Sequence, residues 1–151
     1  MQNRRETLRQ TLAVAGLLGA TGLFPQNAFA FNRAAFDAKT VPDAVKAYGG
    51  SAPVESKDVT LTAPDIAENG AVVPMTVAST LPNVKQLLVL VEKNPSALVA
   101  KFDVSDAVEA NFATRAKMGQ TSDVYAVAIT KDNKAYFAKK EVKVTLGGCG
   151  G

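Results

Sequence analysis

The chain has 151 residues, 47% apolar and 21% charged, with 17 Lys and Arg against 14 Asp and Glu. It contains no His, no Trp and a single Cys. That length and composition fit one globular domain, and they exclude His-based catalytic triads, imidazole acid–base chemistry, His-containing metal sites, Cys-clustered zinc and any intramolecular disulfide. No run reaches the roughly 18 apolar residues of a membrane-spanning helix.

Residues 1–30 read as an export signal. Arg4, Arg5 and Arg9 outweigh Glu6, and Thr11 to Phe24 is apolar and uncharged but too short to cross a bilayer. Pro25 breaks the segment, and Ala28-Phe29-Ala30 presents small residues at both positions that a signal peptidase reads, placing cleavage before Phe31. The stretch Asn3 to Arg9 resembles a twin-arginine signal built on Arg4 and Arg5, with departures at Asn3 and Thr7. A general secretory signal that contains Arg-Arg is the alternative. The twin-arginine route carries proteins already folded, and its destination is the periplasm. Removing Arg4, Arg5, Arg9 and Glu6 leaves 14 basic and 13 acidic residues of the original 17 and 14, so the net charge falls from +3 to +1. The apparent basicity belongs largely to the signal, and binding to nucleic acid is not supported.

The domain expected over residues 31–146 begins with a short helical segment, residues 31–50. Pro42 suits a first helical turn and Gly49-Gly50 suits a stop. Strands follow. Asp58 to Thr62 alternates polar and apolar, and Gly70 to Ala78 is a second strand in which Pro74 demands an edge or a bulge. Between them, Glu68-Asn69-Gly70 reads as a turn, since Asn-Gly tolerates positive φ, with a partner-facing role for residues 63–74 as the other reading. Leu87 to Val91 is a continuous apolar run, as expected of a strand buried on both faces. Leu98 to Phe102 is next, then Ala110 to Met118 with a clear period of two, then Asp123 to Ile129. Asp132-Asn133 fits a tight turn into a last strand, Lys134 to Leu146, on which Lys139-Lys140 reads as a solvated strand end, with electrostatic attraction of an anionic substrate as the other reading. About seven short strands with turn signals between them predict an all-β, immunoglobulin-like antiparallel β-sandwich, although the Trp and Cys pair of antibody domains are absent.

The chain ends Gly147-Gly148-Cys149-Gly150-Gly151. Four glycines around the one thiol predict a flexible arm over 147–151, thin enough to enter a narrow channel, with Cys149 about 10 Å beyond Leu146 when extended. An unperturbed thiol ionises near about 8.5, so a fraction is thiolate at neutral pH without an activating base. A thiol on such an arm suits a carrier that presents a covalently bound group to several enzymes. The other readings are a disulfide joining two copies or tethering a partner, a buried structural Cys, and a sulphur carrier activated at its Gly-Gly carboxylate. A thiol redox enzyme would need a resolving Cys, which the chain lacks.

The GGCGG terminus, the twin-arginine-like signal and Ala63 to Pro74 (APDIAENGAVVP) together resemble the SoxY family of thiosulphate oxidation. The resemblance implies an immunoglobulin-like fold and sulphur intermediates held covalently on Cys149. It also implies a heterodimer with SoxZ and transient contacts with SoxAX, SoxB and, where present, SoxCD. A carrier of this kind has no catalytic residue, metal or cofactor of its own, because its partners supply the catalysis.

Overall fold

The computed structural model describes residues 32–148. Arg4 and Arg5 at one end, and Cys149, Gly150 and Gly151 at the other, lie outside the described residues.

Among the described residues two short helices come first, α1 (Arg33–Asp37) and α2 (Val41–Ala47). The Asn32 side chain caps α1, and the Thr40 hydroxyl caps α2 by accepting from the Asp43 amide, with Pro42 in the first turn. Past Tyr48, Gly49 takes φ +76°, a conformation open to glycine, and its amide donates to the Lys46 carbonyl. The helix stop expected at Gly49-Gly50 is therefore present.

Nine strands follow in the described residues: β1 (Val54–Glu55), β2 (Val59–Thr62), β3 (Ile66–Asn69), β4 (Val73–Ser79), β5 (Val84–Val91), β6 (Leu98–Asp103), β7 (Asn111–Ala116), β8 (Ser122–Thr130) and β9 (Ala135–Leu146). The larger sheet runs β1-β9-β8-β5-β6, with β3 also on β9, and the smaller runs β2-β4-β7. Strands β2 and β4 to β9 match the seven read from the sequence. Two short strands are additional, and both pair with β9 in parallel.

One of those strands corrects the turn expected at Glu68-Asn69-Gly70. Glu68 and Asn69 belong to β3, because Ala67 is buried and the segment bonds to β9. The turn proper is Gly70-Ala71, and it passes the chain from one sheet to the other rather than closing a hairpin. Asn69 is not among the positive-φ residues; its side chain instead accepts from the Ala71 amide. Pro74 sits in the middle strand of the smaller sheet, yet it meets the expected condition. The β2 pairing stops at Thr62↔Thr76, so Pro74 has a partner on the β7 side alone.

Strand β5 is buried on both faces, as its apolar run predicts. Leu87, Val89 and Val91 enter the core between the sheets, together with Met75, Val77, Met118, Val124 and Val142. Leu88 and Leu90 point the other way, against Ala35, Val41, Ala44 and Val45 of the helices. Strand β8 divides in the same manner, with Val124 and Ala126 on one side and Val127 and Ile129 on the other. A second, smaller core beneath the helices therefore covers the outer face of the larger sheet.

The β8–β9 turn holds Asn133 at φ +65°, consistent with the tight turn read at Asp132-Asn133. The Thr130 hydroxyl donates to the Asp132 carboxylate, and Lys134 lies 3.0 Å from its other oxygen. The Thr130 hydrogen bond first, then the Lys134 bond, hold the Asp132 carboxyl at about 2. A depressed carboxyl contributes stability that is complete above its unfolded value and lost as pH falls through the folded one.

Two measurements check this frame. Leu90→Ala opens a cavity between the helices and β5, so the urea midpoint should fall by an amount worth about 2–5 kcal/mol, whereas Leu146→Ala on an exposed side chain should stay within about 0.5 kcal/mol. In an NMR titration, Asp132 should titrate near 2, and Thr130→Val should move it up toward 3.8; an unmoved midpoint would refute the hydroxyl as the leading cause.

Candidate functional site

Strand β9 carries the chain to the arm. Its first eight residues pair antiparallel with β8, from Ala135↔Ile129 to Val142↔Ser122. Beyond Val142 the pairing passes to β3, with Ile66↔Lys143, Ala67↔Val144 and Asn69↔Leu146. Val142 and Val144 keep one face in or against the core, while Leu146 stands exposed at the end of the sandwich.

At that end three main-chain segments meet in a closed ring of hydrogen bonds. The Gly70 amide donates to the Leu146 carbonyl at 2.7 Å. The Met118 amide donates to the Gly70 carbonyl at 2.7 Å, and the Gly148 amide to the Met118 carbonyl at 2.9 Å. The Met118 side chain is fully buried and anchors its loop to the core. Asn94 braces the same loop, donating to the Lys117 carbonyl at 2.8 Å and accepting from the Gly119 amide at 3.4 Å. Thr121 accepts from the Val144 amide at 3.0 Å.

Of Gly147 and Gly148, expected as the first part of a flexible arm, Gly148 is instead bonded into this ring, and Gly147, although exposed, lies close against the Gly119 backbone. A Cβ on Gly148 would collide with the carbonyl group of Gly70, and one on Gly147 with the carbonyl oxygen of Gly119. Their lack of a side chain here permits close backbone approach. Of the residues that build this end of the sandwich, Met118, Asn94 and Thr121 had no functional reading in the sequence, and Gly70 had one only as part of the partner-facing reading of residues 63–74. Main-chain bonding leaves no side-chain signature, and Gly70 alone carried a signal, that of a turn.

Two lysines of β9 are committed to local pairs. Lys139 and Lys140 lie within β9, not at its end, which corrects their reading as a strand end. Lys139 lies 3.1 Å from Asp123. Lys140 lies 2.9 Å from Asp65 and donates to the Ala63 carbonyl at 2.6 Å. The Lys140 hydrogen bond, then its charge, lower the Asp65 carboxyl, while the Asp123 hydrogen bond raises Lys139. Ile66, Val72 and Leu146 are all more than half exposed in the segments around the ring. Among the described residues no group of three or more His, Cys, Asp or Glu could hold a metal ion, and no helix is long and apolar enough to cross a membrane.

Residues 44–149 match the family model described as SoxY, sulfur oxidation protein SoxY. The sulfur carrier protein SoxY from Chlorobium limicola f thiosulfatophilum is similar in structure, with a TM-score of 0.63 and 38% identity over 71% of this chain and 97% of that one. A superoxide reductase (neelaredoxin) from Ignicoccus hospitalis has a TM-score of 0.52 at 17% identity, covering 60% of this chain and 82% of that one, a likeness of fold alone. No curated protein sequence matches. The family model spans most of the domain and reaches the terminal Cys149, and the chain therefore belongs to the SoxY family of sulfur carrier proteins.

Proposed function

We propose that the chain is a periplasmic carrier that holds thiosulphate-derived intermediates covalently on Cys149 and presents them to partner enzymes. The observation that carries this reading is the family match that runs through to Cys149, on a chain whose last strand brings the arm's root to one end of the sandwich. Arg4 and Arg5 mark the export signal. The export reading and the covalent reading support each other, since a lone thiol outside the cytoplasm needs a use that tolerates oxidation.

The chemistry needs no base or metal from the carrier. In the loading step the Cys149 thiol loses its proton, an S–S bond forms to the outer sulphur of thiosulphate, and two electrons leave to a haem-bearing partner of the SoxAX type. The product is Cys–S–S–SO3−. Water then cleaves the terminal S–S bond in a SoxB-type partner, releasing sulphate and two protons and leaving a persulphide on Cys149. The carrier is a substrate in each step rather than the catalyst. A SoxCD-type partner, where present, would oxidise the persulphide sulphur further.

The partner reading rests on sheet edges. The smaller sheet ends in β2 and β7 and the larger in β6, and such edges attract strands unless covered. A SoxZ subunit covering one of them would form the heterodimer, with Cys149 outside the interface so that it can visit successive enzymes. Export of a folded pair through the twin-arginine route would let one signal serve both chains.

Cys149→Ser should abolish thiosulphate-dependent electron transfer without altering folding, because a hydroxyl cannot form the S–S bond; normal turnover by this variant would falsify the carrier reading. Intact-mass measurement of wild-type protein from thiosulphate-grown cells should give adducts of added sulphur and sulphonate on Cys149, whereas protein–protein disulfides alone would point to a tether. Co-expressed with SoxZ, the mature chain should elute as a heterodimer by light scattering, with a thiol that a small alkylating reagent reaches after reduction. A monomer indifferent to that partner sinks the assembly.

A further inference from the structure

The ring at the end of the sandwich is built on positions that tolerate no side chain. A Cβ on Gly70 would overlap the Met118 carbonyl oxygen and stand 2.8 Å from the Gly148 amide nitrogen and 2.9 Å from a Val144 methyl. Gly70 is itself buried, although it lies in a turn between two sheets. Its φ is not positive, so backbone freedom does not explain the glycine. Close approach does. From the other side, a Cβ on Gly148 would meet the Gly70 carbonyl carbon and oxygen and the Ala71 amide nitrogen. The two glycines lie against each other without side chains between them, and one loop, that of Met118, bonds to both.

We propose that Gly70 is a positioning residue for the carrier arm: with the Met118 loop it clasps Gly148, so that the residue bearing the thiol is joined to a fixed point on the body. This rests on the carrier reading. The clasp takes the two glycines preceding Cys149 out of the free length of the arm. Opening it would return about 7 Å of reach, at roughly 3.3–3.6 Å for each extended residue. A held root narrows the volume through which the loaded sulphur is searched for by a partner, which favours productive encounter. Glycine before Cys149 thus has a different reason from glycine after it. Gly147 and Gly148 allow docking, whereas Gly150 and Gly151 lie beyond the clasped point in the chain.

The test compares mature wild-type chain with Gly70→Ala, Gly148→Ala and Gly150→Ala, each in complex with SoxZ. Amide exchange is followed by NMR at position 148 and at core positions 88 and 127. In the wild type the amide at 148 should exchange at least tenfold more slowly than in an unstructured glycine peptide. Gly70→Ala and Gly148→Ala should remove that protection and leave the core amides protected, while Gly150→Ala should change neither. Gly148→Ala alters only the end of the chain, so it decides the matter even where Gly70→Ala weakens folding. Each carrier is then loaded chemically with tetrathionate, whose attack by the Cys149 thiolate forms Cys–S–S–SO3− and expels thiosulphate. Loading should proceed at the wild-type rate in every variant. Enzymatic release of sulphate by a SoxB-type partner should fall at least threefold in kcat/KM for the two clasp variants, mainly through KM. An unprotected amide at 148 in the wild type overturns the clasp. Lost protection with an unchanged kcat/KM overturns the positioning role. A wild-type carrier that releases no sulphate overturns the carrier reading and the positioning role with it, and the exchange data then judge the clasp by themselves.

Discussion

Burial of β5 and β8 on both faces is the constraint from which the rest of the architecture follows. Each strand supplies alternate residues to two separate cores, one between the sheets and one beneath the helices. A strand with apolar side chains on both faces needs a layer on each side. The smaller sheet provides one layer and the α1–α2 pair provides the other. Without the helices, Leu88, Leu90, Val127 and Ile129 would lie open on the outer surface of the larger sheet. The short helical segment at the start of the domain is therefore part of the fold's energetics rather than a lead-in to it.

Strand β9 converts that rigid centre into a defined exit for the chain. Pairing with β8 fixes its first two-thirds, and pairing with β3 fixes its last four residues. Strand β3 lies between two strands of the smaller sheet in sequence, and the Met118 loop follows β7 of that same sheet. The end of β9 is thus bonded to segments belonging to both layers. Main-chain hydrogen bonds of this kind each contribute about 0.5–1.5 kcal/mol, and three of them close the ring around Gly148.

The ion pairs along β9 have a lesser part. Lys139–Asp123 and Lys140–Asp65 involve exposed or half-exposed groups, and such pairs contribute about 0–1 kcal/mol. Lys140 has a second role, because its ammonium also donates to the Ala63 carbonyl and so ties the segment leaving β2 to β9. That contact helps to seat β3, whose single buried residue, Ala67, gives it little apolar anchorage of its own.

The sequence by itself determined the seven principal strands, the helix stop at Gly49, the turn at Asn133 and the two-faced burial of Leu87 to Val91. Each of these is a local pattern of apolar period, glycine or turn residue, legible over a few neighbouring positions. It also contained the lone Cys149 among glycines and the family resemblance that the comparisons then bore out. Only the tertiary structure decided that β1 and β3 pair in parallel with β9, that Glu68-Asn69 is strand rather than turn, and that Gly147 and Gly148 are docked. Those features rest on main-chain groups meeting across long stretches of chain. Such a meeting leaves no periodicity in the residues concerned, and a glycine kept for close packing reads, in sequence, the same as one kept for freedom.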